Sequence, residues 1–111
     1  METLEKIFGK SVHIQIISLY HKNRGFFDNI TGLTKKVEKS HVTVRNVVKD
    51  LIDVGILKET TVGRSRVVAL NEDGYYTKIV FEFLDNISFA QREEYLEMLM
   101  MMKKQIQEKE Y

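Results

Sequence analysis

The segment around Gly55 restricts this chain more than any other. An amphipathic stretch from Ser40 to Val54 stops at Gly55, a residue type suited to a helix C-terminus. Two β-branched-rich runs follow with almost no linker, Ile56 to Val62 and Ser65 to Leu70, on either side of Gly63-Arg64. Two such runs about a glycine turn predict a β-hairpin in which Gly63 supplies a positive φ. A helix joined this closely to a hairpin forms one supersecondary unit.

The rest of the chain reads as helices. There is no Pro, and six Gly are the strong punctuation. Ser11 is a plausible N-cap for a helix carrying Val12, Ile16, Leu19 and Tyr20, ended by Gly25 and preceded by a helical turn over Thr3 to Phe8. Phe26-Phe27 is a short extended pair. Asn29 caps a second helix with Ile30, Leu33 and Val37 on one face, residues 38 to 40 turn the chain, and Ser40 caps the third. After the hairpin, Asn71 caps a fourth helix with an apolar stripe of Tyr76, Ile79, Val80, Phe83 and Leu84, and a fifth starts near Ser88 and runs toward the end. The expected class is mainly α with a small β-hairpin.

Composition narrows the classes further. With 111 residues the chain suits one core, and 43% hydrophobic with 30% charged residues is the balance of a folded protein. No Cys is present, which excludes a disulfide framework and thiolate chemistry and makes a reducing cytoplasm the expected location. No apolar run approaches the ~18 residues of a membrane span, and Met1 to Lys6 lack the basic start and apolar run of a signal peptide, so membrane insertion and secretion are not expected. The formal net charge of +1 hides an asymmetry. Residues 1 to 70 hold 12 Lys and Arg against 7 Asp and Glu, net +5, whereas residues 71 to 111 hold 5 against 9, net −4. This asymmetry suggests a basic face for a polyanion in the first part and another task for the second.

The third helix supplies the chemistry. Advancing ~100° per residue places Val44, Val47, Val48, Leu51 and Val54 in one sector, the expected core face. Opposite lie Val42, Arg45, Asn46 and Lys49, with Asp53 at the far end. Such a stripe suits a DNA major groove: Arg45 can fork onto guanine, Asn46 onto adenine, and Val42 can meet a thymine methyl. Lys49, a turn further on, is placed for phosphate. Ser40, His41 and Thr43 offer hydroxyls, backbone N–H groups and a positive dipole end to another phosphate. Lys35, Lys36, Lys39, Arg64 and Arg66 add charge on the same side, and residues 33 to 66 hold eight basic against four acidic side chains. A solvated helix face is the competing explanation of the stripe taken alone.

Residues 33 to 74 resemble the winged helix-turn-helix of the MarR and ArsR type bacterial and archaeal regulators. The resemblance is carried by Leu33-Thr34-Lys35-Lys36-Val37, Ser40, Thr43-Val44, Val47-Val48, Leu51, Gly55-Ile56-Leu57, Gly63-Arg64-Ser65-Arg66 and Leu70-Asn71-Glu72-Asp73-Gly74. Ile7-Phe8-Gly9 and Ile16 to Tyr20 are similar to the first helices of those families. The resemblance implies a sequence-specific regulator of transcription that binds double-stranded DNA, a repressor by promoter occupancy, with helix 40–54 in the major groove and wing 56–70 on the flanking groove or backbone. Arg64 is then the leading wing residue and Arg66 the second. Residues 1–86 would form the DNA-binding domain and residues 87–111 a dimerisation element, working in the cytoplasm and on the nucleoid when bound. The alternative is a winged helix used as a protein-interaction module in a larger complex.

The last segment explains the dimer expectation. Four of the five Met fall at 98, 100, 101 and 102 beside Leu96 and Leu99, so a short window is apolar almost all round. Phe89, Leu96, Leu99, Met100 and Ile106 lie near one seam, with Glu93, Glu94 and Glu97 outside it. A helix of ~34 Å from Ser88 to Glu110 exceeds what a small core can cover. The expected cover is a second copy, with the first helix and the N-terminal turn taking part; a helix packed back in a monomer and a surface for another protein or hydrophobic effector are the alternatives. His13 and His21 stand eight apart without a Cys or a paired carboxylate, so no metal site is expected, no cofactor is implied, and no phosphate loop or nucleophilic arrangement suggests an enzyme. A small-molecule effector is compatible with apolar residues such as Tyr20, Phe83 and Tyr95, but nothing in the sequence calls for one.

Overall fold

The computed structural model describes residues 2–109 and has the order α1 (Glu2–Phe8), α2 (Val12–Lys22), β1 (Phe27–Asp28), α3 (Ile30–Val37), α4 (His41–Asp53), β2 (Leu57–Val62), β3 (Ser65–Leu70) and α5 (Tyr75–Lys109). It is mainly helical, with a three-stranded antiparallel sheet and a long C-terminal helix. Ser11, Asn29 and Ser40 cap their helices as expected, each side chain accepting a backbone N–H three residues on. The hairpin forms about Gly63-Arg64 as expected, with Gly63 at φ +62°; its first strand begins at Leu57, and the pairing sets Leu57 opposite Leu70 and Val62 opposite Ser65. The Phe26-Phe27 pair contributes to a third strand: Phe27 and Asp28 pair with Ala69 and Val68, giving the sheet order β1-β3-β2.

The core draws on every helix and on β2 and β3, with α4 giving four residues, Val44, Val47, Val48 and Leu51. Leu4, Ile16, Tyr20, Leu33, Val44, Leu57 and Leu84 are its most deeply buried large side chains. Tyr20 carries the one polar tip among them and satisfies it by donating its hydroxyl to Val68 O at 2.8 Å, which ties α2 to β3. Burial, reinforced by the Asp28 carboxylate, pushes the Tyr20 phenol far above its usual pKa, so it stays neutral. Tyr20 is therefore sealed in the core and cannot line an effector pocket with Phe83 and Tyr95, both of which are exposed.

Four local expectations are corrected. Val54 is half exposed rather than buried, because α4 ends at Asp53 and Gly55, at φ +81°, turns the chain so that Ile56 takes the inward place. Asn71 does not cap the next helix: its side-chain amide donates to Gly55 O at 2.9 Å. The first helical bond of α5 is instead accepted by Gly74 O from Lys78 N, at 3.2 Å. The buried line of α5 is Thr77, Phe81 and Leu84, leaving Tyr76, Ile79 and Phe83 largely outside; the rings of Phe83 and Phe8 meet edge to face at 5.8 Å. This part of α5 is apolar on several sides, so periodicity alone could not choose the inward one. Finally, the two expected C-terminal helices are one. No Gly or Pro follows Gly74, so nothing interrupts hydrogen bonding at Ser88, and the helix continues through it to Lys109; the expected end near Glu110 lies outside the described residues.

One junction orders the second half. The Gly55 carbonyl accepts from Asn71 Nδ2 and from Thr77 Oγ1 at 3.3 Å, while Asn71 N donates to Ile56 O at 2.9 Å. Gly74 packs so closely on this carbonyl that a Cβ there would run into it. Gly74→Ala should therefore cost about 1 to 3 kcal/mol through overpacking, measured by urea unfolding, whereas Asp73→Ala next to it, an exposed position, should stay within ~0.5 kcal/mol.

Candidate nucleic-acid interface

The helix-turn-helix is closed by local chemistry. α3 ends on Glu38, a non-glycine residue held at φ +56°, whose N–H donates to Thr34 O, and Lys39 N also reaches Thr34 O at 3.3 Å. Ser40 then starts α4: its Oγ accepts from Thr43 N at 3.2 Å and lies 3.0 Å from Thr43 Oγ1. With Val44, Val47, Val48 and Leu51 buried, the rotation of α4 is set. Val42, Arg45, Asn46 and Lys49 are all exposed on the opposite sector, with Asp53 at the end of the same line. Val42 is 65% exposed, an apolar side chain for which the fold provides no cover.

His41 and Thr43 are exposed on the first turn of α4, and Lys35 and Lys39 on the end of α3 and the turn. Lys36 differs. Its ammonium pairs with the Asp28 carboxylate and lies 5.3 Å from the centre of the Phe26 ring, so it fastens α3 to β1 and its charge is largely neutralised. Arg64 follows Gly63 at the hairpin tip, fully outside the core, and Arg66 stands opposite Thr61 on β3. Lys58, exposed on β2 and opposite Ala69, adds a basic side chain to the wing; strand alternation from Leu57 would have flagged it as outward.

Two pairings link histidines to single carboxylates. His13 Nε2 lies 2.9 Å from Asp50 on α4, and His21 Nε2 lies 2.7 Å from Asp85 on α5, where Arg24 also reaches Asp85 at 3.5 Å. Both histidines thus serve helix packing. Among the described residues no group of three or more His, Cys, Asp or Glu is placed to hold a metal ion, and no helix is long and apolar enough to cross a membrane.

A helix-turn-helix whose second helix is followed at once by a β-hairpin, closed by a short strand from before α3, is a winged helix-turn-helix. Among solved structures the chain is similar to TubR bound to 24 bp of tubC from Bacillus thuringiensis serovar israelensis pBtoxis, with a TM-score of 0.53 and 25% identity over 73% of this chain and 89% of that one. This likeness supports the winged helix without singling out the MarR or ArsR type. No protein-family model matches the chain, and no curated protein does.

The cap and the outward face separate experimentally. Ser40→Ala should lower stability by about 1 kcal/mol, seen as an earlier urea midpoint by circular dichroism, while Lys49→Ala should leave the midpoint within ~0.5 kcal/mol.

Proposed function

We propose that this chain is a sequence-specific regulator of transcription that binds double-stranded DNA as a homodimer and represses by occupying its site. The observation that carries the reading is the α4 stripe of Val42, Arg45, Asn46 and Lys49: four exposed side chains on one sector of a helix whose other side is locked in the core. The similarity to TubR, whose structure is bound to 24 bp of tubC, supports it independently. Arg45 and Asn46 read base edges, Val42 meets a thymine methyl, Ser40, His41, Thr43 and Lys49 hold phosphates, and Arg64 with Arg66 extends the contact along the wing. Lys35 approaches the backbone directly. Lys36 contributes mainly by orienting α3 through Asp28.

The DNA-binding part occupies residues 1–86 and the dimerising part residues 87–111. Every residue from Arg92 to Gln107 is exposed, so among the described residues nothing buries the outer part of α5. By helix rotation Leu99 and Ile106 continue the line of Phe81 and Leu84 that covers the body, and Phe89, Leu96 and Met100 stand ~60 to 100° further round. A second copy laid along this surface covers both lines and sets two α4 helices on one pseudo-palindromic site, ~34 Å apart if they enter successive grooves.

Binding is tested by titrating duplex DNA at several salt concentrations. Each phosphate contact contributes ~0.9 to the fall of log K with log salt, so Arg64→Ala should reduce the slope by about that amount, while Arg45→Ala should narrow the gap between selected and random DNA by ~1 to 3 kcal/mol. Negligible affinity for any duplex at low salt would leave the protein-interaction module as the better description. Assembly is tested by light scattering at micromolar concentration: the expected mass is twice the 13.1 kDa of the chain, and Leu99→Glu with Ile106→Glu should return it to one. A wild-type chain that stays at single mass under all conditions removes the dimer.

A further inference from the structure

Two carboxylates border the outward stripe of α4. Asp53 stands at its far end, and Asp50 stands beside it, one helical turn after Asn46 and ~40° further round. Side chains four apart on a helix are surface neighbours, so the Asp50 charge reaches whatever lies along Asn46. This is the side from which α2 approaches: His13 Nε2 lies 2.9 Å from Asp50 Oδ2. Both partners stay open to water, the His13 side chain 45% exposed and that of Asp50 65%. A pair this exposed adds little to stability. The other such pair is built differently. His21 is only 10% exposed, meets the Phe81 ring edge to face at 5.1 Å, and shares Asp85 with Arg24, far from α4 in the chain.

The charges round His13 single out Asp50. Lys49 and Asp53 flank Asp50 along α4, and exposed Lys10 stands three residues before His13. Glu5, Lys22, Lys36 and Glu38 line a cleft that helix rotation sets on the opposite side of α2, and Lys36 is held by Asp28. With a neutral imidazole the His13–Asp50 pair carries −1 at the border of a surface that meets phosphates; with an imidazolium it carries none. Imidazole is the side chain whose charge changes between pH 5 and 8. We propose that His13 is a positioning residue of the DNA interface, which as imidazolium neutralises Asp50 beside Asn46, so that binding duplex DNA takes up a proton at this pair. A polyanion favours the charged imidazole. Affinity is therefore fullest at low pH and falls as pH rises through the titration of the pair. The proposal rests on the DNA reading and assigns that interface a residue outside the helix-turn-helix and the wing.

The test measures affinity of the full chain for a random-sequence duplex at low salt, where binding is electrostatic, at about pH 6 and about pH 8. Because the pair is exposed, every variant should melt within a few degrees of wild type. At the lower pH His13→Gln should bind roughly three- to tenfold more weakly than wild type, and at the higher pH the two should agree within about twofold. His41 titrates in both chains, so its effect drops out of their ratio. His13→Arg, a permanent cation, should keep at the higher pH the affinity that wild type has at the lower. Asp50→Asn should bind more tightly than wild type at the higher pH by roughly threefold or more, whereas Asp85→Asn, which removes the same charge on α5, should stay within about twofold. The proposal alone is overturned if the ratio of wild type to His13→Gln is the same at both pH values, or if Asp50→Asn binds no more tightly than Asp85→Asn. A wild-type chain that binds no duplex at either pH removes the DNA reading and the proposal with it.

Discussion

The Gly55 carbonyl is the point on which the arrangement turns. It sits where α4 ends, and by accepting from Asn71 and Thr77 it brings the exit of the hairpin and the start of α5 to the same place. Gly74 makes the approach close enough, and Gly55 itself makes the turn by its positive φ. Three elements that meet at one part-buried acceptor cannot move independently. The wing is therefore held relative to α4, and the direction of α5 relative to both, by hydrogen bonds that a hydrophobic core alone would not orient.

On the other side of α4 the physics is that of exclusion. Four buried aliphatic residues, Val44, Val47, Val48 and Leu51, leave only one way to place the helix, and the rest of its surface must face outward. The capped turn before it, with Glu38 left-handed and Ser40 bonded to Thr43, fixes where that outward face begins. Charge is used in two ways around it. Lys36, His13 and His21 meet carboxylates of neighbouring elements and hold the fold together, while Arg45, Lys49 and Arg64 remain on exposed surface.

α5 joins these two economies of burial and exposure. Its first half closes the core through Thr77, Phe81 and Leu84, and its second half continues as a single helix with Met and Leu side chains in the open. With an extent of 68 Å along one axis and 28 and 27 Å across the others, the molecule is elongated by this helix. Because the helix has no break, its outer half is rigidly coupled to the winged part.

Capping residues, glycine stops and the two periodicities determined the elements from sequence alone, since each is a local property: Ser11, Asn29 and Ser40 start helices, Gly63 turns the hairpin, and the inward and outward sides of α4 follow from 3.6 residues per turn. Tertiary structure decided what depends on distant partners. Asn71 was drawn from a helix cap to the Gly55 carbonyl, and Lys36 from the surface to Asp28. Phe26-Phe27 became the lead into a sheet edge because β3 had a free side, and Ser88 stayed helical because no competing bond stopped α5 there. Tyr20 found Val68, 48 residues further along the chain and beyond any local rule, through the hydrogen bond that ties α2 to β3. Local hydrogen bonding can be read along the chain; the choice between two satisfied partners for one polar side chain requires both to be present in space.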